Sequence, residues 1–283
     1  MSIGFVIVTY NSESVLPACL KSIPSGYEAV VVDNASKDKS AQIARSLGAR
    51  VIVNKTNIGF GAACNRGAKL LSASHVFFLN PDAILLEGAV SEIEKAIGRY
   101  PDAGGFGPAI AIPGKRQKFR STSYPQYQGR PNEGDVPPAG TAEVDFLDGA
   151  ALICDLELFL KIGGFDEGLF LYYDDDDLCF RLRSQNRTLI YVATANVMHH
   201  RNRSSGNGIY LDYFRSYHAA RSRIFISNKY TLPLDAHRER KRAIIVLLRS
   251  IVALNVRKAA KCLGTLNALR LNEPKFKARP SCK

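Results

Sequence analysis

The chain has 283 residues, 46% hydrophobic and 23% charged, with 14 Phe and 12 Tyr but no Trp, a composition that excludes a disordered or collagen-like chain. Its length allows one large α/β domain plus an appendage. The formal charge of +12 is lopsided, since residues 1–200 hold 19 Lys and Arg against 22 Asp and Glu while residues 201–283 hold 19 against 4, so contact with polyanions or anionic lipid falls to the tail alone.

Residues 3–8 form an apolar run ending in Thr9-Tyr10-Asn11, and a helix is expected over 13–22. Residues 29–32 are a second apolar run, closed by Asp33-Asn34. Ser36 is the expected N-cap of the next helix, with Ile43, Ala44 and Leu47 on one face and Gly48 as its stop. A third strand is predicted over 51–53, a helix over 57–71, and a fourth strand over 76–79 that ends in Asn80-Pro81-Asp82. Continuous apolar strands separated by helices imply a mostly parallel sheet covered on both faces. Ligands of such sheets bind beyond the carboxyl ends of the strands, where Thr9, Asn11, Asp33, Asn34, Asn80 and Asp82 all fall.

Residues 112–145 lose periodicity and read as a substrate loop that orders on binding. A strand is expected over 146–153, a helix near 156–162, a break at Gly163-Gly164, a helix over 175–184 and a strand over 188–192 that leads to Met198-His199-His200. Beyond Gly208 the pattern is helical to about Leu271. The six cysteines (Cys19, Cys64, Cys154, Cys179, Cys262, Cys282) are scattered and form no CxxC pair, so neither a disulfide framework nor a zinc site is expected, and a reduced cytoplasmic setting follows. No basic leader precedes the strand at Ile3, which argues against a signal peptide. The longest apolar run, residues 243–254, is broken by Arg249 and falls short of the roughly 20 residues a bilayer requires.

Three constellations could carry chemistry. Asn80-Pro81-Asp82 sets a carboxylate on a rigid turn after a buried strand, a place for a hard divalent cation that bridges phosphates, although the same tripeptide makes an ordinary turn. The run Asp174-Asp175-Asp176-Asp177 lies between apolar segments, which makes one of its carboxylates a candidate general base; a helix N-terminus is the plainer account of the run. His199-His200 at a strand end could add a metal ligand or be structural. Gly59-Phe60-Gly61 has Cys64 where a dinucleotide fingerprint needs glycine or alanine, and it follows the third strand rather than the first, which disfavours a Rossmann dehydrogenase.

Taken in order, Val8-Thr9-Tyr10-Asn11, Val32-Asp33-Asn34-Ala35-Ser36, Asn57-Ile58-Gly59-Phe60-Gly61 with Asn65, Leu79-Asn80-Pro81-Asp82, Gly163-Gly164-Phe165-Asp166 and Phe170 to Cys179 closely resemble the inverting family 2 glycosyltransferases of GT-A fold. The branch they are most similar to is the bacterial rhamnosyltransferases of cell-wall and surface-polysaccharide assembly. The resemblance spans residues 3–205 and implies a transferase domain over 1–207, with a donor half over 1–110 and an acceptor half over 111–207, followed by a basic helical extension over 208–283. It implies that Thr9, Tyr10, Asn11, Asp33 and Asn34 hold the nucleoside, and that Asn57, Gly59, Asn65 and Asn80 line the donor pocket. It further implies that Asp82 binds a divalent metal (Mg2+ or Mn2+) with His199, that Asp175 is the general base, and that Asp174 and Asp177 support it. Two departures stand out. Asn80 takes the first position of the DXD-type motif, and Asp174 replaces the usual glutamate before the base.

The donor implied is a nucleotide sugar, dTDP-rhamnose, and the acceptor a lipid-linked or polysaccharide glycan; a UDP-hexose donor is the alternative. In the tail, Val252, Val256, Ala259, Ala260, Leu263 and Leu266 recur at helical spacing opposite Arg257, Lys258 and Lys261. Such C-terminal helices suit an anionic membrane surface, which would make the enzyme peripheral on the inner face of the plasma membrane; packing against the body is the competing account of the stripe. A nucleic-acid partner for the tail is disfavoured because it leaves the strand-end carboxylates without a role. A nucleotidyltransferase would need a glycine-rich basic loop where Asn11-Ser12-Glu13-Ser14 stands.

Overall fold

Alternate residues of the first strand enter two separate cores. In β1 (Ile3–Thr9), Phe5 and Ile7 pack on one side of the sheet and Val6 and Val8 on the other. β4 (His75–Leu79) repeats this, with Phe77 and Leu79 opposed to Val76 and Phe78. A strand apolar on both faces needs cover on both. The first face is covered by α1 (Leu16–Ser22), α2 (Ser40–Ser46) and α4 (Ala89–Arg99), the second by α3 (Phe60–Ala68), α5 (Leu156–Lys161) and α6 (Asp174–Arg183). The computed structural model describes residues 2–114, 119–125, 136–200 and 208–270. Parts of the expected substrate loop (115–118 and 126–135), the residues around the expected domain boundary (201–207), Leu271 and Cys282 lie outside the described residues.

The remaining strands are β2 (Glu28–Asp33), β3 (Arg50–Val53), β5 (Ala83–Leu85), β6 (Gly105–Ala111), β7 (Ala142–Val144), β8 (Ala151–Asp155) and β9 (Leu189–His199). They form one sheet in the order β3-β2-β1-β4-β8-β6-β9-β5, with β7 paired to β9. The block from β3 to β4 is parallel. Beyond it the sheet is mixed: β8 runs antiparallel to β4 and β6, β9 parallel to β6, and β5 and β7 antiparallel to β9. These directions carry the carboxyl ends of β1, β2, β4 and β9 and the amino ends of β5 and β8 to one edge. Thr9, Asp33, Asn80, Asp82, Ala150 and His199 therefore emerge together.

Several expected boundaries move. The second helix starts at Ser40, with Lys39 rather than Ser36 at its N-cap, because the Ser36 hydroxyl accepts the Asn11 N–H instead. The helix expected from 57 starts at Phe60, after Gly59 at φ 90°. The strand expected over 146–153 is displaced to Ala151–Asp155, and the one over 188–192 extends to His199. Residues 119–125 and 136–145 of the expected loop are tied to the body through Arg120, Tyr124 and β7.

Residues 1–206 and 207–283 are two compact units. In the second, the expected continuous helix is broken into α7 (Ile209–Lys229), α8 (Ala236–Val252) and α9 (Val256–Arg270). Thr231 and Leu254 adopt positive φ at the two breaks, and Pro233 follows the first. α9 packs on α7 through its small residues: a Cβ on Gly264 would strike the Tyr213 carbonyl oxygen. Its buried side is Ala260, Cys262, Gly264, Ala268 and Leu269, which shares Ala260 alone with the expected stripe, because small side chains let two helix backbones approach this closely. Asp212 pairs with Arg257 and Lys261, and Glu239 with Arg223.

Candidate active site

Asp33 ends β2 opposite Thr9 of β1, and its buried carboxylate accepts the Thr9 hydroxyl at 3.0 Å and the Ser36 N–H at 2.9 Å. A carboxylate has about four acceptor positions, so two are left for a ligand. Asn34 donates to the Gly59 carbonyl and accepts from Asn54. Thr9 and Asn34 are as buried as Asp33; Thr9 fixes the Asp33 carboxylate and Asn34 fixes the Gly59 turn. Tyr10 and Asn11 are half-buried beside them, with the Asn11 side chain accepting the Lys37 N–H.

Asn57 closes the next turn by accepting the Gly59 N–H. Gly59 sits at φ 90°, and a Cβ there would lie 2.6 Å from the Phe170 carbonyl oxygen, the group that accepts the Phe60 N–H. Gly59→Ala therefore meets both a left-handed backbone and a rigid neighbour, and should cost about 2 kcal/mol or more of stability in chemical denaturation. Asn65 lies buried in α3. Its amide donates to the Phe165 carbonyl and to Glu167, and accepts the Phe165 N–H, which holds the segment leading to the aspartate run.

The antiparallel register of β5 and β9 sets Ala83 opposite His199, and the His200 N–H donates to the Asp82 carbonyl. His199 Nε2 lies 3.1 Å from Asp82 Oδ1 and 3.5 Å from Asn80 Nδ2, and both Asp82 and His199 are buried. The buried Nδ1 of His199 has no hydrogen-bond partner. A carboxylate oxygen and an imidazole nitrogen this close fit two ligands of one divalent cation. Among the described residues no group of three His, Cys, Asp or Glu could enclose a metal. The remaining ligands would come from phosphate oxygens and water. Cys19 beneath this turn donates to the Asn80 carbonyl, and burial with the Asp82 charge pushes its thiol well up, excluding it as a nucleophile.

The Asn80 N–H donates to the Ala150 carbonyl, and the preceding Gly149 N–H donates to Asp175 Oδ2 at 3.0 Å. One short segment thus joins the Asp82 turn to the aspartate run. Tyr172 and Tyr173 both take positive φ just before α6, a strained entry that turns its first residues toward that segment. Of the four aspartates only Asp175 is partly exposed. Asp177 is held by Arg181 at 2.7 Å, and Arg181 also donates to the Ile162 and Gly164 carbonyls. Asp176 pairs with Arg120 at 3.0 Å and accepts the Tyr124 N–H. Asp174 is buried, which lifts its carboxyl to about 6. Desolvation and the Asp176 and Asp174 charges push Asp175 well up, while Arg120 opposes the rise.

Arg120, whose guanidinium lies 3.5 Å from the Phe146 ring centroid, was not legible in the sequence. It sits in an aperiodic segment, 56 residues from its partner. Gly149 falls inside the strand expected over 146–153, although Asp148-Gly149 is a turn signal.

Residues 5–151 match the family model described as Glycosyl transferase family 2. A relative from Mycobacterium tuberculosis (strain ATCC 25618 / H37Rv), named N-acetylglucosaminyl-diphospho-decaprenol L-rhamnosyltransferase, is 28% identical over 243 residues, 71% of this chain and 76% of its own length. Among solved structures, GalNAc-T7 with UDP, GalNAc and Mn2+ matches 96% of this chain and 56% of its own, with TM-score 0.66 and 13% identity. The mannosyltransferase PcManGT from Pyrobaculum calidifontis, in complex with GDP-Man and Mn2+, matches 96% and 88%, with TM-score 0.59 and 13% identity. At these identities the two structures speak to the fold, and it is the GT-A sheet.

Proposed function

This chain belongs to glycosyl transferase family 2, and from that premise we propose that it moves L-rhamnose from dTDP-rhamnose to a hydroxyl of a lipid-linked glycan, inverting the anomeric centre. The observation that carries the reading is the linkage of the partly exposed Asp175 to the Asp82–His199 pair through residues 149–150. The choice of sugar and of a polyprenyl-linked acceptor follows the mycobacterial relative.

In this scheme Asp33 accepts from the base, and the backbone around Asn11 and Gly59 shapes the wall for the nucleoside. Asn80 borders the diphosphate. A Mg2+ or Mn2+ ion held by Asp82 and His199 would offset the negative charge that grows on the departing diphosphate. Asp175 takes the proton of the acceptor hydroxyl as that oxygen attacks the anomeric carbon from the face opposite the leaving group. A single displacement of this kind inverts the centre with no covalent intermediate on the chain. Asp174 and Asp177 hold the first turn of α6, so that Asp175 meets the hydroxyl in one orientation. The lipid-linked acceptor brings the enzyme to the cytoplasmic face of a membrane, with the basic C-terminal helices toward its anionic surface.

A panel of nucleotide sugars with Mn2+, scored by calorimetric binding and slow donor hydrolysis, tests the assignment. dTDP-rhamnose should bind at least about tenfold tighter than UDP-hexoses. Preference for a UDP-hexose would replace the sugar, and no binding of any nucleotide sugar would remove the reading altogether.

A further inference from the structure

α8 leaves its large aliphatic side chains in solvent. Ile244, Ile245, Leu248, Ile251 and Val252 recur on one side of the helix and are 41–86% exposed, and the apolar surface runs on through Leu254 and Val256. Its packed side is marked instead by Ala243 and Ser250. The N-terminal half of the same helix is basic: His237, Arg238, Lys241 and Arg242 are exposed, and Arg249 flanks the aliphatic face further on. An open groove of about 240 Å³ lies where the two halves meet, lined by His237, Arg240, Lys241, Ile244 and Ile245.

We propose that this face of α8, rather than α9, is the element that docks on an anionic lipid bilayer, its aliphatic side chains entering the interface and its basic half engaging phosphate headgroups. This identifies the membrane partner of the proposed function and rests on that reading only for the reason the enzyme needs a membrane. α9 cannot present its small-residue seam to lipid, because that seam lies against α7.

Charge selects the occupant. Residues 208–270 contain 13 Lys and Arg but only Asp212, Asp235 and Glu239 as acids. Asp212 and Glu239 are engaged by Arg257, Lys261 and Arg223, and Asp235 caps α8 by accepting the Arg238 N–H. Among the described residues of this unit, each of the three acids is therefore already engaged. A second copy of the chain would bring like charges together on both sides of an aliphatic seam. Nucleic acid would find no aromatic platform among these aliphatic residues. An anionic surface with a hydrocarbon layer beneath it satisfies both halves of the helix. No described helix is long and apolar enough to cross a membrane, so α8 would lie in the plane of the interface.

The chain has no tryptophan, so Val252→Trp introduces a single reporter at a position already exposed. With full-length protein and no sugar donor, its emission should shift to the blue, and be quenched by brominated acyl chains, with phosphatidylglycerol-containing vesicles but not with pure phosphatidylcholine. Leu248→Glu with Ile251→Glu should lower the fraction that floats with anionic vesicles about tenfold or more, and Lys241→Glu with Arg242→Glu should weaken it and reduce its salt sensitivity. An unchanged Val252→Trp spectrum on anionic vesicles overturns the proposal, as does equal flotation of the Leu248→Glu/Ile251→Glu protein. A blue shift that needs no lipid and grows with protein concentration assigns the face to self-association instead. Because no turnover is read, a failure here leaves the transferase reading standing, and a failed donor panel leaves this result intact.

Discussion

Asp175→Asn is expected to lower sugar transfer by about 10²–10⁴-fold, the usual worth of a positioned base, with donor affinity measured by calorimetry nearly unchanged. The pH profile adds a second signature. Among the described residues, the charges of Asp176, Asp174 and Asp148 favour the neutral carboxyl of Asp175, and Arg120 favours the carboxylate. The reactive form is the carboxylate, so kcat/KM should climb with pH through a value well above that of an ordinary aspartate. Arg120→Met removes the opposing cation and leaves Asp176 buried without its ion partner. The rising limb should then move to still higher pH, with a lower rate at neutral pH and recovery of part of it in alkaline buffer. A uniform loss at every pH would mean that Arg120 only holds the 119–125 segment in place. Full activity in Asp175→Asn would show that the proton leaves by another route.

The second large effect is expected at the cation pair. Asp82→Asn should cost about 10²–10³-fold in transfer, as the loss of charge stabilisation on a leaving group does, and His199→Ala less, since the carboxylate remains. With only two protein ligands within reach among the described residues, Mn2+ alone should bind weakly, and adding a nucleoside diphosphate should tighten it. That coupling is reciprocal, so Mn2+ should tighten the nucleotide by the same factor. Calorimetry in both orders checks this, and Asp82→Asn should abolish the coupling while leaving base recognition at Asp33. Chelator-resistant turnover, or tight Mn2+ binding without nucleotide, would rule out a metal that arrives with the donor.

Much of this geometry can be read from local pattern. Apolar strands such as 3–8 and 29–32 followed by polar tripeptides mark a sheet with a ligand edge, because parallel strands carry their carboxyl ends to the same side. Gly48, at φ 83°, ends its helix as its place in the pattern suggests. Ser36 misleads for a physical reason: it has the chemistry of a cap, but Asn11 and Asp33 compete for it and win. β5 and the extension of β9 from 193 to 199 carry no local signal, because β5 is only three residues, too short for a periodic pattern, and the two form by pairing across more than a hundred residues of chain.

The sequence by itself determined the parallel block, the polar groups at its strand ends and the placing of the whole excess of positive charge in the last third of the chain. The resemblance already singles out Asp175 and His199, but tertiary structure decided how far each of the four consecutive aspartates is buried and which tail helix keeps an uncovered aliphatic face. These choices depend on groups far away in the chain: Arg120 and Tyr124 close over Asp176, Arg181 draws in Asp177, and α7 takes the small side of α9. Adjacent identical side chains carry no local difference that could tell them apart. Only the arrival of distant neighbours sets their burial, and with it their charge.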